Sequence, residues 1–196
     1  LPLTDLFRIA LEEHSARGLK REAYEVTKDL QDFFTLRIRN VLSEQAIRYD
    51  VADAIIGAGA SDVRRTLLRA KALQAVTAEG NKAEFRPAVE AFNRVCNLAS
   101  KADSKQVDAL LFADDAEKKL YEAWQGAHGG FIQAFAEANL AEALAALSSL
   151  SAPIAAFFEA VMVMAEDEAV RRNRLALLSL IADDVRTFAD FSKLAG

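Results

Sequence analysis

Arg171, Arg172, Asn173 and Arg174 follow directly on the acidic stretch Glu166-Asp167-Glu168 and stand just ahead of a leucine-rich segment. Guanidinium and carboxamide groups in such a cluster do recognition chemistry rather than bond breaking. An arginine fork matches a phosphate or the acceptor edge of a base, and an asparagine both donates and accepts. At about 100° per residue, Leu175, Leu178, Ile181, Ala182, Val185, Phe188 and Ala189 fall on one broad helical face. Arg171 and Arg174 share that face a turn earlier, so they should sit at a bundle rim, open to a negative partner. Arg172 and Asn173 should project elsewhere. A local alternative stands beside this: Asp167 precedes Arg171 by four residues and Glu168 precedes Arg172 by four, the order that favours surface ion pairs.

Other residues offer the same chemistry. Arg37 falls inside the apolar arc Leu30, Phe33, Phe34, Ile38, Val41 and Leu42, whereas Arg39 points away from it. An arginine held against an apolar stripe needs a partner, because breaking a buried pair costs roughly 3–5 kcal/mol. That partner is either a carboxylate such as Asp50 or Asp53, or an RNA phosphate or base edge. Arg94 projects opposite the stripe Phe85, Val89, Phe92, Cys96 and Ala99, with Asn93 and Asn97 on its flank. Arg64 and Lys71 share one helix face, Arg65 and Arg69 another; the run is either solvated surface or a phosphate-tracking face. Tyr49 either packs or stacks on an unpaired base.

Catalytic machinery is not legible. The sequence has no glycine-rich phosphate loop, no metal-ligand spacing and no nucleophile–histidine set, so neither catalytic residues nor a metal site is expected. Cys96 reads as a buried apolar thiol. His14 and His128 stand far apart, and Asp114-Asp115 and Asp183-Asp184 are neighbours that point to different sides of a helix.

The elements that must position these groups read as helices throughout. The first covers residues 4–14, with Thr4 as a possible N-cap and Gly18 as a stop. A long helix runs from Lys20 to about Ile47, and a short one from Tyr49 to Ile56 is closed by Gly57 and Gly59. Ser61 or Asp62 caps a helix reaching Val76, and another follows Glu79-Gly80-Asn81. Residues 103–127 hold one or two more, with Leu110, Leu111, Leu120, Tyr121 and Trp124 as packing residues. The glycines around His128 mark a break, and 131–149 is an alanine-rich helix. Two apolar-faced helices, joined at the acidic turn, span Pro153 to Leu194, with Met162 and Met164 as core filler. With 52% hydrophobic residues, eight glycines and three prolines in 196, the chain suits a packed all-α bundle rather than a disordered segment. The single cysteine fits a reducing cytoplasm, and no uninterrupted apolar run reaches about 18 residues, so no membrane span is expected. The net charge of −5 means that any RNA contact needs a local basic face.

FFEAVMVMAEDEAVRRNRLALL followed by ADFSKL resembles the C-terminus of the beta subunit of bacterial-type glycyl-tRNA synthetase (glycine–tRNA ligase). So do Asp32-Phe33-Phe34, Arg37, Arg39, Leu42, Tyr49-Asp50-Val51 and Asp53-Ala54, in the same order. Arg94, Val95 and Asn97 resemble the family's Arg-Val-x-Asn, with Asn93 where the family often has lysine. The similarity covers most of residues 20–196. It implies an all-α anticodon-binding domain of the DALR type, shared with arginyl-tRNA synthetase, over 20–196, preceded by a lead-in helix in 1–19. It implies glycine tRNA as partner, together with the rest of the beta subunit and an alpha subunit that uses ATP, with no cofactor in this piece. The contacts it implies are Arg37, Arg39, Arg94, Asn97, Arg171, Arg172, Asn173 and Arg174. The competing reading is a helical scaffold whose charged rim is ordinary surface.

Overall fold

A computed structural model describes residues 2–15 and 21–194. Among the described residues the chain is all-helical: α1 (Leu3–Ser15), α2 (Ala23–Glu44), α3 (Tyr49–Gly57), α4 (Val63–Val76), α5 (Lys82–Ala99), α6 (Asp115–Ala136), α7 (Leu140–Ser148), α8 (Ser151–Ala160) and α9 (Glu168–Phe188). Single 3-10 turns cover Ala109–Leu111 and Phe191–Lys193. The expected stop at Gly18 lies outside the described residues.

The spine is α9, with Leu175, Leu177, Leu178, Ile181, Ala182, Val185 and Phe188 buried. It packs on α5 and α6, while α6 packs on α7 and α8, and α4 joins α3 to α7. Phe92, Phe131, Phe157 and Phe188 are the largest fully buried side chains, so four helices supply the aromatic centre of one apolar cluster. α5 runs antiparallel to α9: Phe85 and Phe92 meet Phe191 beyond the end of α9, and Asp103, beyond the end of α5, meets Arg172 near the start of α9. At the edge, α1 rests on α2 through Phe7 and Phe34, whose ring centroids are 5.3 Å apart.

Several expectations are corrected. The first helix begins at Leu3, so Thr4 lies within its first turn and not at its cap. Asp62, rather than Ser61, caps α4 by accepting from the Arg65 N–H at 2.8 Å. The break at His128 is absent: α6 runs through Gly126, Gly129 and Gly130. Each glycine costs about 1 kcal/mol in a helix interior. Against that, an Asp114–Glu117 capping box starts the helix, and Leu120, Phe131 and Ala134 bury its inner face. Leu110 and Met162 are 93% and 77% exposed, so neither fills the core. The run Leu140–Ala160 is long and apolar enough by composition to cross a membrane. It folds instead as α7 and α8, interrupted after Ser148, with Leu144, Leu147, Ile154 and Phe157 in the core.

Candidate nucleic-acid interface

The arginines that open α9 are held by the protein itself. Asp167 caps the helix by accepting from the Val170 N–H at 3.1 Å, so it is not paired with Arg171. Arg171 Nη1 donates to the Ala165 carbonyl at 2.8 Å. Arg172 pairs with Asp103 at 3.0 Å, both side chains exposed. Arg174 Nε meets Glu117 Oε1 at 2.8 Å, and its Nη1 donates to the Met162 carbonyl at 2.9 Å. This pair is buried, with 10% of the arginine side chain and 1% of the glutamate exposed. Asn173 is 4% exposed. Its Nδ2 donates to the Asp108 carbonyl at 2.9 Å and its Oδ1 accepts from the Asp108 N–H at 2.7 Å. Asn173 therefore does not project outward, and Arg174 is not at an open rim. Asn173 thus pins the segment between α5 and α6 across the start of α9, while Arg171 and Arg174 supply donors to carbonyls of the segment between α8 and α9.

On α2 the outcome also differs from the expectation. Arg39 pairs with Asp53 on α3, and Arg48 pairs with Asp50 at 2.8 Å, so the two carboxylates named for Arg37 engage other arginines. Arg37 is exposed. The arc it shares is itself half open, since Phe33 and Leu36 are exposed and α2 buries only Ile38 and Leu42. Tyr49, at the start of α3, is 75% exposed. Of the basic run on α4, Arg65 sits 5.2 Å over the Phe135 ring, and Arg69 is buried. Arg69 donates to the carbonyls of Gly59, Thr187 and Phe188, closing the end of α9. Burial pushes its pKa down to about 10, with Arg65 adding repulsion.

α5 presents the third group. Arg94 sits over the Phe158 ring, 4.0 Å from its centroid. Exposed Asn97 lies on a cleft of about 470 Å³ between α3, α5 and the turn after α9. Asn93, Cys96, Ser100, Arg186, Asp190 and Ser192 complete its polar wall. Arg186 Nη2 donates to the Cys96 carbonyl at 2.8 Å. Asp190 Oδ1 accepts from the Ser192 hydroxyl at 2.6 Å and its N–H at 3.2 Å, while the Asp190 N–H donates to the Ala54 carbonyl at 2.8 Å. A side chain at Gly57 would bring a Cβ to 3.1 Å from that of Asp190, so glycine permits the close approach of α3 to the turn. Cys96 is half-buried on the cleft wall rather than sealed in the core, and burial pushes its thiol pKa up.

The eight candidate residues thus fall in three places. Arg37 and Arg39 stand near the end of α9, because α3 is tied to Asp190. Arg171 to Arg174 stand at its start, about 24 Å away at a rise of about 1.5 Å per residue from Arg172 to Phe188. Arg94 and Asn97 lie along α5. Arg186, Asp190 and Ser192 were not among the expected contacts; the signal for Arg186 is a basic residue in the last turn of a helix. The sequence also hid the pairing of Trp124 and His128 with buried Asp184. Trp124 Nε1 donates to Asp184 Oδ2 at 3.0 Å, and His128 Nδ1 lies 2.8 Å from the same oxygen. Among the described residues no group of three or more His, Cys, Asp or Glu could hold a metal ion.

Comparison with known proteins bears on this arrangement. The family model described as the DALR anticodon binding domain matches residues 88–189, from within α5 to the residue after α9. The chain is 41% identical over 180 residues to the glycine–tRNA ligase beta subunit of Syntrophotalea carbinolica, covering 92% of this chain and 26% of that protein. It is 40% identical over 193 residues to that of Desulforudis audaxviator, covering 98% and 28%. With that of Citrifermentans bemidjiense it shares 36% identity over 194 residues, covering 99% and 28%. The chain spans about a quarter of the length of the curated relatives it matches.

Proposed function

The chain belongs to the DALR anticodon-binding domain family, and from that premise we propose that it grips the anticodon arm of glycine tRNA. It does so as the C-terminal part of a glycine–tRNA ligase beta subunit, in the cytoplasm. Residues 20–196 form the binding domain and 1–19 lead in from the rest of the subunit. Glycine activation with ATP falls to the alpha subunit, and this chain supplies recognition without catalytic residues or a cofactor of its own.

The observation that carries the reading is the family match over 88–189, which takes in α6 to α9 and most of α5, the helix that walls the polar cleft. Exposed Arg37 meets phosphate directly. Arg39 and Arg172 sit in exposed pairs, which contribute about 0–1 kcal/mol and can be exchanged for phosphate at little cost. Arg94 and Asn97 face the unstacked loop bases, and Arg171 lies beside the turn it braces. Asn173 and Arg174 act indirectly, Asn173 by fixing the segment between α5 and α6 and Arg174 by tying the segment between α8 and α9 to Glu117 on α6. The test is binding of the chain to glycine tRNA across a salt series, beside the same tRNA with altered anticodon cytosines. Tighter, salt-sensitive binding to the unaltered tRNA is expected. Equal, salt-insensitive affinity for both, or no binding, returns the chain to the scaffold reading.

A further inference from the structure

We propose that a second cleft, where the start of α4 meets the end of α9 and the loop from α3, binds an oxyanion of the phosphate class. It uses none of the residues assigned to the anticodon arm. The cleft holds about 570 Å³, within the roughly 300–1,000 Å³ of small-ligand sites. Ser61, Asp62, Arg65, Thr66 and Arg69 form its polar wall, facing Phe135. Two features of that wall point to a ligand. Thr66 is 1% exposed, and its hydroxyl has no hydrogen-bond partner. Thr27, Thr35, Thr77 and Thr187 each donate to the carbonyl four residues earlier, the usual resource of a helical threonine, and Thr66 does not. The second feature is charge. Arg69 is 4% exposed, and its Nε is also buried without a partner. Among the described residues the side-chain partners of Arg65 and Arg69 are carbonyls and the Phe135 ring, with no carboxylate among them.

Two guanidinium charges four residues apart on one helix repel each other. Burial first, and then that repulsion, hold the Arg69 pKa near 10, and an anion set between the two relieves both effects. Asp62 is the one carboxylate in the wall, and its Oδ1 already accepts from the Arg65 N–H at 2.8 Å as the helix cap. Two cations and the positive end of the α4 dipole outweigh it. Arg65 is held by the Phe135 ring at 5.2 Å and by a 3.5 Å contact to the Ala136 carbonyl, neither of them a bond to a charged group. In the proposed complex Arg65 turns from the ring onto the anion, which settles against the Thr66 hydroxyl and the Nε edge of Arg69. A tetrahedral oxyanion suits such donors because its oxygens accept from several directions at once, and charge-assisted bonds of this kind are the strong ones. Ser61, exposed at the mouth, adds a further hydroxyl.

The probe is inorganic phosphate, with chloride at matched ionic strength as the reference. Calorimetric titration of the native chain is expected to give a Kd of about 1 mM. Phosphate at about fifty times that Kd should raise the thermal midpoint by about 5–9 °C. Thr66→Val removes the hydroxyl and keeps the shape of the side chain. Since that hydroxyl bonds nothing within the chain, the variant should melt in chloride within about 2 °C of the native chain and still bind phosphate at least about tenfold more weakly. Arg65→Gln should weaken phosphate by a similar factor. Phosphate also favours burial by exclusion from protein surfaces, which raises both midpoints alike, so the difference between native chain and variant is the reading. An equal rise in the two, no heat of binding, or a Thr66→Val chain that melts far lower in chloride overturns the proposal and leaves the anticodon-arm reading untouched. Competition with glycine tRNA separates two sources of the group. Phosphate that weakens tRNA binding to the native chain but not to Thr66→Val supports the site with an RNA backbone phosphate as occupant, and independent binding supports it with a free anion.

Discussion

Replacing Glu117 with glutamine tests whether Arg174 belongs to the fold or to the RNA. Glu117 Oε1 holds the Arg174 guanidinium at 2.8 Å, and its Oε2 accepts from the backbone N–H groups of Ala113 and Asp114, each at 2.7 Å. Glutamine keeps one acceptor oxygen, but its amide nitrogen must then face either two backbone donors or a cation. Breaking a buried ion pair by removing one partner costs about 3–5 kcal/mol, and retention of one acceptor places the expected loss near the lower bound. At roughly 2–4 °C per kcal/mol for a chain of this size, a loss of about 3 kcal/mol lowers the thermal midpoint by about 6–12 °C. Urea denaturation should show the same loss with an unchanged slope. Adding Arg174→Met to Glu117→Gln should recover at least about 1 kcal/mol, because the stranded cation is gone. Well below its midpoint, Arg174→Met alone should bind glycine tRNA within about twofold of the native chain. A Glu117→Gln loss under about 1 kcal/mol, or a tenfold loss of tRNA affinity in folded Arg174→Met, would refute the assignment.

Arg69→Met strips the carbonyls of Gly59, Thr187 and Phe188 of a buried donor. At about 1–3 kcal/mol per stranded group, a loss of at least about 3 kcal/mol is expected in urea denaturation, with faster hydrogen exchange in the last turn of α9. Gly129→Ala places a methyl group in open space on α6 and should stabilise the chain by about 0.5–1 kcal/mol in the same assay; a destabilised variant would show that this helix face is not open.

The helices were legible because apolar periodicity, capping residues and turn glycines agree over most of the chain. The α9 stripe from Leu175 to Phe188 is buried as its spacing requires, and Asp62 caps α4 as one of the two expected candidates, whereas Asp167, expected to pair with Arg171, caps α9 instead. What local pattern could not supply was the partner of each charge. Arg174 and Glu117 are 57 residues apart, and Arg69 meets carbonyls more than a hundred residues away. Such pairs are set by which helix ends need closing, and that is decided by packing. The same limit explains His128: three nearby glycines argue for a break, while a carboxylate on α9 holds the helix through it. Arg186 and Asp190 escaped notice because neither belongs to a charge run; they face a common cleft only after α9 has turned back against α3 and α5.

The two ends of α9 consequently do different work, and this reconciles an acidic chain with the proposed RNA recognition. At the start, where three arginines crowd into four residues, Arg171, Asn173 and Arg174 bind backbone or a buried carboxylate. Their charge and polarity complete the fold, so the density itself says little about affinity. At the far end Arg69 closes the helix carbonyls from within, which leaves the outer surface to Arg186, Asp190 and the asparagines of α5. On the proposed reading the few exposed arginines, Arg37 foremost, supply the phosphate contacts and the salt dependence, while matched edges select, since phosphate contacts position a nucleic acid while base contacts select it. A net charge of −5 is tolerable for a module of the second sort.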